Sequence, residues 1–491
     1  MQTALKTCWR VETADRVAFL MENAHYFEVL AQALRNARKS VLWVGWQFDP
    51  RTRLEPFDQR HSRSDEVGMM LRRLSHARPD LDIRMLIWKS PLLIAASQGF
   101  FPHKAQRWFR RWNGEFQLDR PRPFGACHHQ KVIVIDDSIA FCGGGDVGVD
   151  RWDTAAHRDD DPRRAMPSGL LSKPRHEVMS LVSGPAARAL GDLIRDRWEG
   201  ATGERPATVE VADDPWPESV TPDLYDCPMG IVRTEPAWKG RAGVRESEAL
   251  HLEAIARARK LIYLENQYFT SPLIGAALAN RLDEPDGPEI VVISTGKSPS
   301  WFDQATMDGA RRVMLERLRA ADRYGRFSAW RPLTPGRKNI IVHSKVTVID
   351  DRMIRVGSTN LNNRSFGFDT ECDVAFVPEG EGPNPTITAF RRRLIGHFLG
   401  VEQAYYDDVE AVTPSIREAI EALNTGRLVD LDARAPLDRD YLLAEWGIGD
   451  PATAFDSWRP WRRRRLSEIF KREIAEAQAA PVISKSTTSG R

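Results

Sequence analysis

No apolar run in this chain approaches the roughly 18 residues that a membrane span requires, and its first stretch, MQTALKTCWRVETADR, lacks an apolar core of signal-peptide length. Cysteine is sparse: Cys8, Cys127, Cys142, Cys227 and Cys372 are scattered and odd in number. No CxxC or Cys/His spacing marks a disulfide framework or a zinc site, so a reducing compartment is the expected setting. Charge of one sign is missing too, since 70 basic and 68 acidic side chains leave a formal +2. That balance argues against a general nucleic-acid binder, although it leaves room for a local basic groove. The expected location is the cytoplasm, with or without peripheral contact to a membrane.

The 491 residues suffice for two or more domain-sized cores. Within them one pattern occurs twice. HHQKVIVIDDSIAFCGGGDVGVDRWD begins at His128, and VHSKVTVIDDRMIRVGSTNLNNRS begins at Val342. Aligned, His129 matches His343, Lys131 matches Lys345, Asp136 matches Asp350, Gly143 matches Gly357 and Asp146 matches Asn360. Every pair is 214 positions apart (343 − 129 for the histidines). Upstream, RKSVLWVGWQF from Arg38 echoes RKLIYLENQYF from Arg259 at an offset of 221 (259 − 38). One HxK is easily accidental. Two with identical internal spacing, each after a matching helix-to-strand unit, make the chain an internal duplication.

Each unit reads as helix, strand, connection and strand. Phe27, Leu30 and Leu34 fall at helical spacing before the strand VLWVGWQF, and ESEALHLEAIARARK before LIYLENQYF repeats the plan. The alternation predicts α/β layers. GERPATVEVADDPWPESVTPDLYDCP, rich in Pro and Asp, is the expected boundary. The expected organisation is a first repeat over 1–204, a linker over 205–227, a second repeat over 228–430 and a C-terminal tail over 431–491.

Strand geometry sorts the motif residues. Residues two apart share a face, so His129 sides with Lys131 and His343 with Lys345. Asp136 and Asp350 lie seven positions beyond their histidines and face away, which suits a fixed hydrogen-bond or salt-bridge role. Two imidazoles and two ammonium groups brought together around a pseudo-twofold suit a phosphate anion and can divide nucleophile and general-acid roles. Ser358 and Asn360 are candidates for further hydrogen bonds to that anion. Such a site asks for no metal and no cofactor. An ionised Asp146 beside a phosphate is repulsive, so it is expected to turn toward a backbone amide or Lys131.

The twice-present H-x-K-x4-D-x6-G-x-x-N/D resembles the phospholipase D superfamily from about residue 5 to about residue 400. HHQK, FCGGGD, GPAARAL, LENQYF and GSTNLNNRSFGFDTE make it most similar to the two-motif phospholipase D and cardiolipin synthase branch. The resemblance implies two pseudo-symmetric repeats, each a mixed β-sheet flanked by helices, packed as one bilobal monomer. It implies that His129, Lys131, Asp136, His343, Lys345 and Asp350 form the catalytic set. His129 is then the nucleophile that forms a phosphohistidine, and His343 the acid/base. Carboxylates downstream of each motif, matched by Glu177 and Glu371, orient the imidazoles. Phospholipid is the expected substrate, and no nucleic acid is expected. Phosphatidyl transfer of the cardiolipin synthase kind, a nuclease or other phosphodiesterase, and a non-catalytic membrane binder remain as alternatives.

Asn266 and Gln267, with Glu265, are candidates for the pocket mouth. Trp43 and Trp46 are expected in the core, and His128 is expected to be structural. His25, His103, His157 and His251 show no convincing partners and are given no role. The arginine- and aromatic-rich stretch from His103 to Gly125 reads as a solvated helix or as a rim for anionic headgroups. WRPWRRRRLSEIFKREI from Trp458 predicts a basic amphipathic helix over 458–475, resting on anionic lipid or docked on the catalytic unit.

Overall fold

Two long strands, Arg10–Met21 and Leu224–Glu235, pair antiparallel at the centre of a sixteen-stranded sheet. The computed structural model describes residues 2–57, 63–91, 102–110, 114–120, 123–432 and 434–453. Outward from Arg10–Met21 lie Val178–Ser183, Ile139–Gly143, Val132–Ile135, Ser40–Gly45, Asp82–Trp88 and Glu115–Asp119. Outward from Leu224–Glu235 lie Glu371–Phe376, Met353–Gly357, Val346–Ile349, Leu261–Asn266, Glu289–Ser294 and Phe327–Pro332. The two series correspond strand for strand, Leu428–Asp430 is added at the second edge, and the short strand Val244–Arg245 pairs off the main path with the end of Leu224–Glu235. Inner neighbours are antiparallel and the two outermost pairs of each series parallel. The duplication in the sequence is thus a pseudo-twofold in the fold, and the class is mixed α/β.

Helices cover both faces. One core is shared by the halves: Ile194 and Trp198 from the helix Pro185–Thr202 join Phe390, Leu394 and Phe398 from the helix Pro385–Leu399. On the opposite face each half has its own core. The helix Asn23–Asn36 contributes Phe27, Leu30 and Leu34 in the first half. Glu246–Arg257 contributes Leu250, Ala254 and Ile255 in the second. The helix Pro102–Phe109 docks through Phe109, whose ring lies 5.8 Å from Phe48 and 4.9 Å from Phe116.

The motif strands VIVI and VTVI are buried along their whole length, as β-branched runs covered on both faces should be. Each ends in a tight turn whose two central residues are left-handed: Asp136 and Asp137 at φ 55° and 52°, Asp350 and Asp351 at φ 53° and 51°. Aspartate tolerates this conformation better than most side chains. Its carboxylate also has a task there. Asp136 accepts from the backbone N–H of Arg38, Lys39 and Ser40, and Asp350 from Arg259, Lys260 and Leu261. The motif aspartates therefore fasten the hairpin to the start of the neighbouring strand. Asp137 and Asp351 are twinned as well, pairing with Arg195 at 2.6 Å and Arg391 at 2.8 Å.

Beside the large sheet, the short strands Arg175–His176 and Ile341–Val342 run parallel, one from each half. They lead into a reciprocal backbone exchange. His343 N–H donates to the His176 carbonyl and His129 N–H to the Thr370 carbonyl, both at 2.9 Å. Each motif is thereby tied to the segment just ahead of the other half's glutamate.

The strand Leu224–Glu235 begins inside the 205–227 stretch expected to be linker. The preceding residues lie against the first half, where Val209 N–H meets Asp137 at 2.9 Å and Trp216 is buried. The start of the expected tail is folded: the helix Asp438–Trp446 packs on Trp301–Ala321, with Asp440 bound by Arg312 at 3.0 Å. The expected basic helix over 458–475 lies outside the described residues. No helix among the described residues is long and apolar enough to cross a membrane.

Replacing Asp136 or Asp350 with Ala leaves three backbone donors without their carboxylate. A loss of about 3 kcal/mol in urea unfolding is expected for either change. An unaltered unfolding midpoint in both variants would refute the fastening role.

Candidate active site

The motif histidines take their carboxylates from opposite halves. His129 Nδ1 lies 2.9 Å from Glu371 Oε2, and His343 Nδ1 lies 2.5 Å from Glu177 Oε2. With the carboxylate ionised, Nδ1 carries the proton and Nε2 presents its lone pair away from the glutamate. The lysines sit beneath. Lys131 Nζ donates to the His129 carbonyl at 2.8 Å, and Lys345 Nζ to the His343 carbonyl at 2.5 Å. Neither half holds a complete imidazole–carboxylate pair by itself.

Burial governs the electrostatics. Desolvation first, then the Lys131 and Lys345 charges, holds the His129 imidazole well below its ordinary pKa. Desolvation, Lys345, Arg175 and Arg151 do the same to His343. Burial lifts Glu177 to about 7, against the pull of Lys345 and Arg175, and lifts Glu371 well above the carboxylate range. Lys345 is pushed down to about 7 by burial, opposed by Glu177. The buried cations are offset in part by Glu177, Glu371 and Asp146, and a site with this concentration of positive charge suits an anionic ligand.

Several candidates land away from the imidazoles. Asp136 and Asp350, grouped above with the catalytic set, are committed to backbone N–H groups at the far ends of their strands. Ser358, expected on the anion, instead donates to Glu371 Oε2 at 2.5 Å and accepts from Cys372 N–H. Asn266 is occupied by Thr359 O, Tyr268 N–H and Leu361 N–H, and Gln267 by the Tyr268 hydroxyl. Asn360 is buried, and its Oδ1 has no partner. Asp146 accepts from Trp46 N–H and Gln47 N–H and lies 3.3 Å from Lys131 Nζ, the arrangement its charge requires. His128 faces the other way, toward Asp119 and Thr370.

Other residues join the site that were expected elsewhere or were not singled out. Trp43 is in the core, but Trp46 is not. It stacks on Trp88 at 5.6 Å and sets its edge against the His129 ring at 6.4 Å. Arg151 and Arg175 are buried cations whose charge reaches His343 and Glu177. Arg175 stands only two residues before Glu177 in the sequence, close enough to have been considered with it. Gly144 replaces the serine of the other motif for a steric reason. A Cβ there falls 2.3 Å from Glu177 Oε1 and 3.0 Å from the His343 carbonyl.

A duplicated α/β fold, with one imidazole and one lysine from each motif and each carboxylate from the opposite half, defines a class in which two repeats build a single site. Residues 251–381 match the family model described as cardiolipin synthase, PLD-like domain. Phospholipase D A of Dictyostelium discoideum is 25% identical over 422 residues, covering 72% of this chain and 32% of that protein. Cardiolipin synthase A of Pseudomonas putida is 26% identical over 275 residues, covering 56% of this chain and 47% of that one. The chain thus spans about a third to a half of the length of these relatives. The crystal structure of phosphatidylserine synthase from Haemophilus influenzae shares the fold, with a TM-score of 0.54 at 15% identity over 91% of this chain and 96% of that one. These matches support the phospholipase D superfamily as the family this chain resembles.

Two variants test the geometry. Gly144→Ala displaces Glu177, so turnover of a phosphodiester substrate is expected to fall about 10²-fold with the fold retained by circular dichroism. Undiminished turnover would show that Glu177 does not orient His343. The pH dependence follows from the same pair. Glu177 is ionised only above about 7 and Lys345 charged only below about 7, so kcat/KM describes a narrow bell near neutrality. Lys345→Arg keeps its charge and is expected to remove the alkaline limb. A limb unchanged in that variant would assign it to another group.

Proposed function

We propose that this chain is a phosphodiesterase and transphosphatidylase acting on phospholipids through a covalent phosphohistidine, with one active site shared by both repeats. The crossed carboxylates carry this reading. Each imidazole is oriented by the opposite half, so the two form one unit rather than two independent sites. The relatives named for phospholipase D and cardiolipin synthase supply the substrate class.

His129 is the more open ring, with a side chain 14% exposed against 8% for His343, and is taken as the nucleophile. Its Nε2 attacks the phosphorus and the P–O bond to the headgroup breaks. The departing oxygen takes the Nε2 proton of His343, which enters the step as an imidazolium, its charge offset by the Glu177 carboxylate and the bound phosphodiester anion, and leaves it as the neutral ring protonated on Nδ1. Lys131, Lys345 and the nearby arginines hold the phosphoryl oxygens as charge shifts onto them. In the second step His343 removes a proton from water or an alcohol, whose oxygen displaces Nε2 of His129 from phosphorus. Water gives phosphatidic acid, and an alcohol gives a new phosphodiester.

The test is product analysis by mass spectrometry on mixed phospholipid vesicles containing ethanol. Wild-type protein is expected to form phosphatidic acid and phosphatidylethanol, and His129→Ala and His343→Ala to lose at least about 10³-fold. Single-stranded DNA cleavage without lipid turnover would replace the lipid with a nucleic acid. Equal product from all three proteins would place any activity elsewhere.

A further inference from the structure

A second cluster of chemically able side chains lies behind the active site. Glu22, His157, His176 and His397 bring one ligand atom each to within 4.8 Å of one another. Glu22 follows the central strand Arg10–Met21, and His176 immediately precedes Glu177. His397 comes from the last turn of the second-half helix Pro385–Leu399. His157 lies in a stretch with no counterpart in the other repeat. His129 and Glu177 are 48 residues apart (177 − 129), whereas His343 and Glu371 are 28 apart (371 − 343).

We propose that these four residues form a zinc site, closed by protein ligands and separate from the phosphoryl chemistry. The donor set is three imidazole nitrogens and one carboxylate oxygen, which suits a borderline dication such as Zn²⁺. Glu22 Oε1 lies 3.3 Å from His157 Nε2, 3.5 Å from His397 Nε2 and 2.5 Å from His176 Nδ1. A tetrahedron with bonds of about 2.0–2.1 Å has edges of about 3.3 Å, so of the three Glu22 contacts only the one to His176 has to open, and all four ligand atoms already lie within 4.8 Å of one another.

The outer contacts match what a ligating imidazole needs. His157 Nδ1 is held by Asp153 at 2.9 Å, His176 Nε2 by Glu265 at 2.8 Å and His397 Nδ1 by the Arg393 carbonyl at 3.3 Å. In all three rings the nitrogen away from the cluster is thereby fixed, and the other is turned inward. Glu22 Oε2 is buried with no hydrogen-bond partner among the described residues, and His157 Nε2 and His397 Nε2 have only Glu22 Oε1 in front of them, at 3.3 and 3.5 Å. Poorly partnered polar atoms of this kind, converging on one point, are costly unless a ligand joins them. Asp153, Glu22 and Glu265 also supply the negative charge that a dication needs. His397, with a side chain 6% exposed, is the least buried of the four.

The metal would bind the central strand, the first-half insertion and the second-half helix to the residue beside Glu177. Its effect on catalysis is one of positioning, through the Glu177–His343 pair.

The full chain, stripped with a chelator and dialysed against buffered Zn²⁺, should retain one zinc per chain by elemental mass spectrometry. Co²⁺ in its place should give the strong visible bands of a four-coordinate ion. His397→Ala, a change at the rim of the cluster, should weaken Zn²⁺ by at least about 10²-fold with the fold intact. His157→Gln should do the same, and His129→Ala should keep the metal. Wild-type protein that holds neither Zn²⁺ nor Co²⁺ would overturn the proposal, as would full retention in His397→Ala and His157→Gln. Loss in His129→Ala alone would assign the metal to the phosphoryl site and overturn it equally. Lipid turnover does not enter these measurements, so they stand apart from the proposed function.

Discussion

The antiparallel pairing of Arg10–Met21 with Leu224–Glu235 is the constraint from which the rest of the molecule follows. It makes one sheet of two repeats and relates them by a pseudo-twofold. The axis faces the motif of each half with the strand end of the other. Backbone exchange at Thr370–His129 and His176–His343 then fixes the register, and a one-residue slip would turn the imidazoles away from their carboxylates. Chemistry at the site depends on a strand pair that carries no catalytic side chain.

The paired motifs serve two purposes. Histidine and lysine point into the shared cleft, whereas the aspartate closes a left-handed turn and clamps the next strand. The same division appears one residue later, where Asp137 and Asp351 anchor arginines from equivalent helices. A residue can therefore recur with the motif because the strand must be placed before the imidazole can act.

Much of this was legible in the chain. Spacing revealed the duplication, period-two alternation put His and Lys on one face and the aspartate on the other, and charge repulsion turned Asp146 toward Lys131. The crossing of the carboxylates was not legible, because spacing within a repeat says nothing about which repeat its strand end will face. Ser358 misled for a related reason: its hydroxyl is close to the chemistry, but the nearer acceptor is Glu371. Trp46 looked like core because it continues an apolar strand, yet it lies beyond the last residue of Ser40–Gly45, where the chain turns toward His129. His157, His176 and His397 had no twin and no mutual spacing, and only tertiary structure gathers them.

The crossed pairs also set an order on biosynthesis. His129 and Glu371 are 242 positions apart, and both central strands must be present before either repeat can finish its cleft. During translation the first repeat can collapse around its own helices, but its imidazole stays without a carboxylate until the ribosome has passed Glu371. A chain that stops short of Glu371 therefore lacks the His129–Glu371 pair, and the crossed cleft is assembled only after the scaffold that confines it.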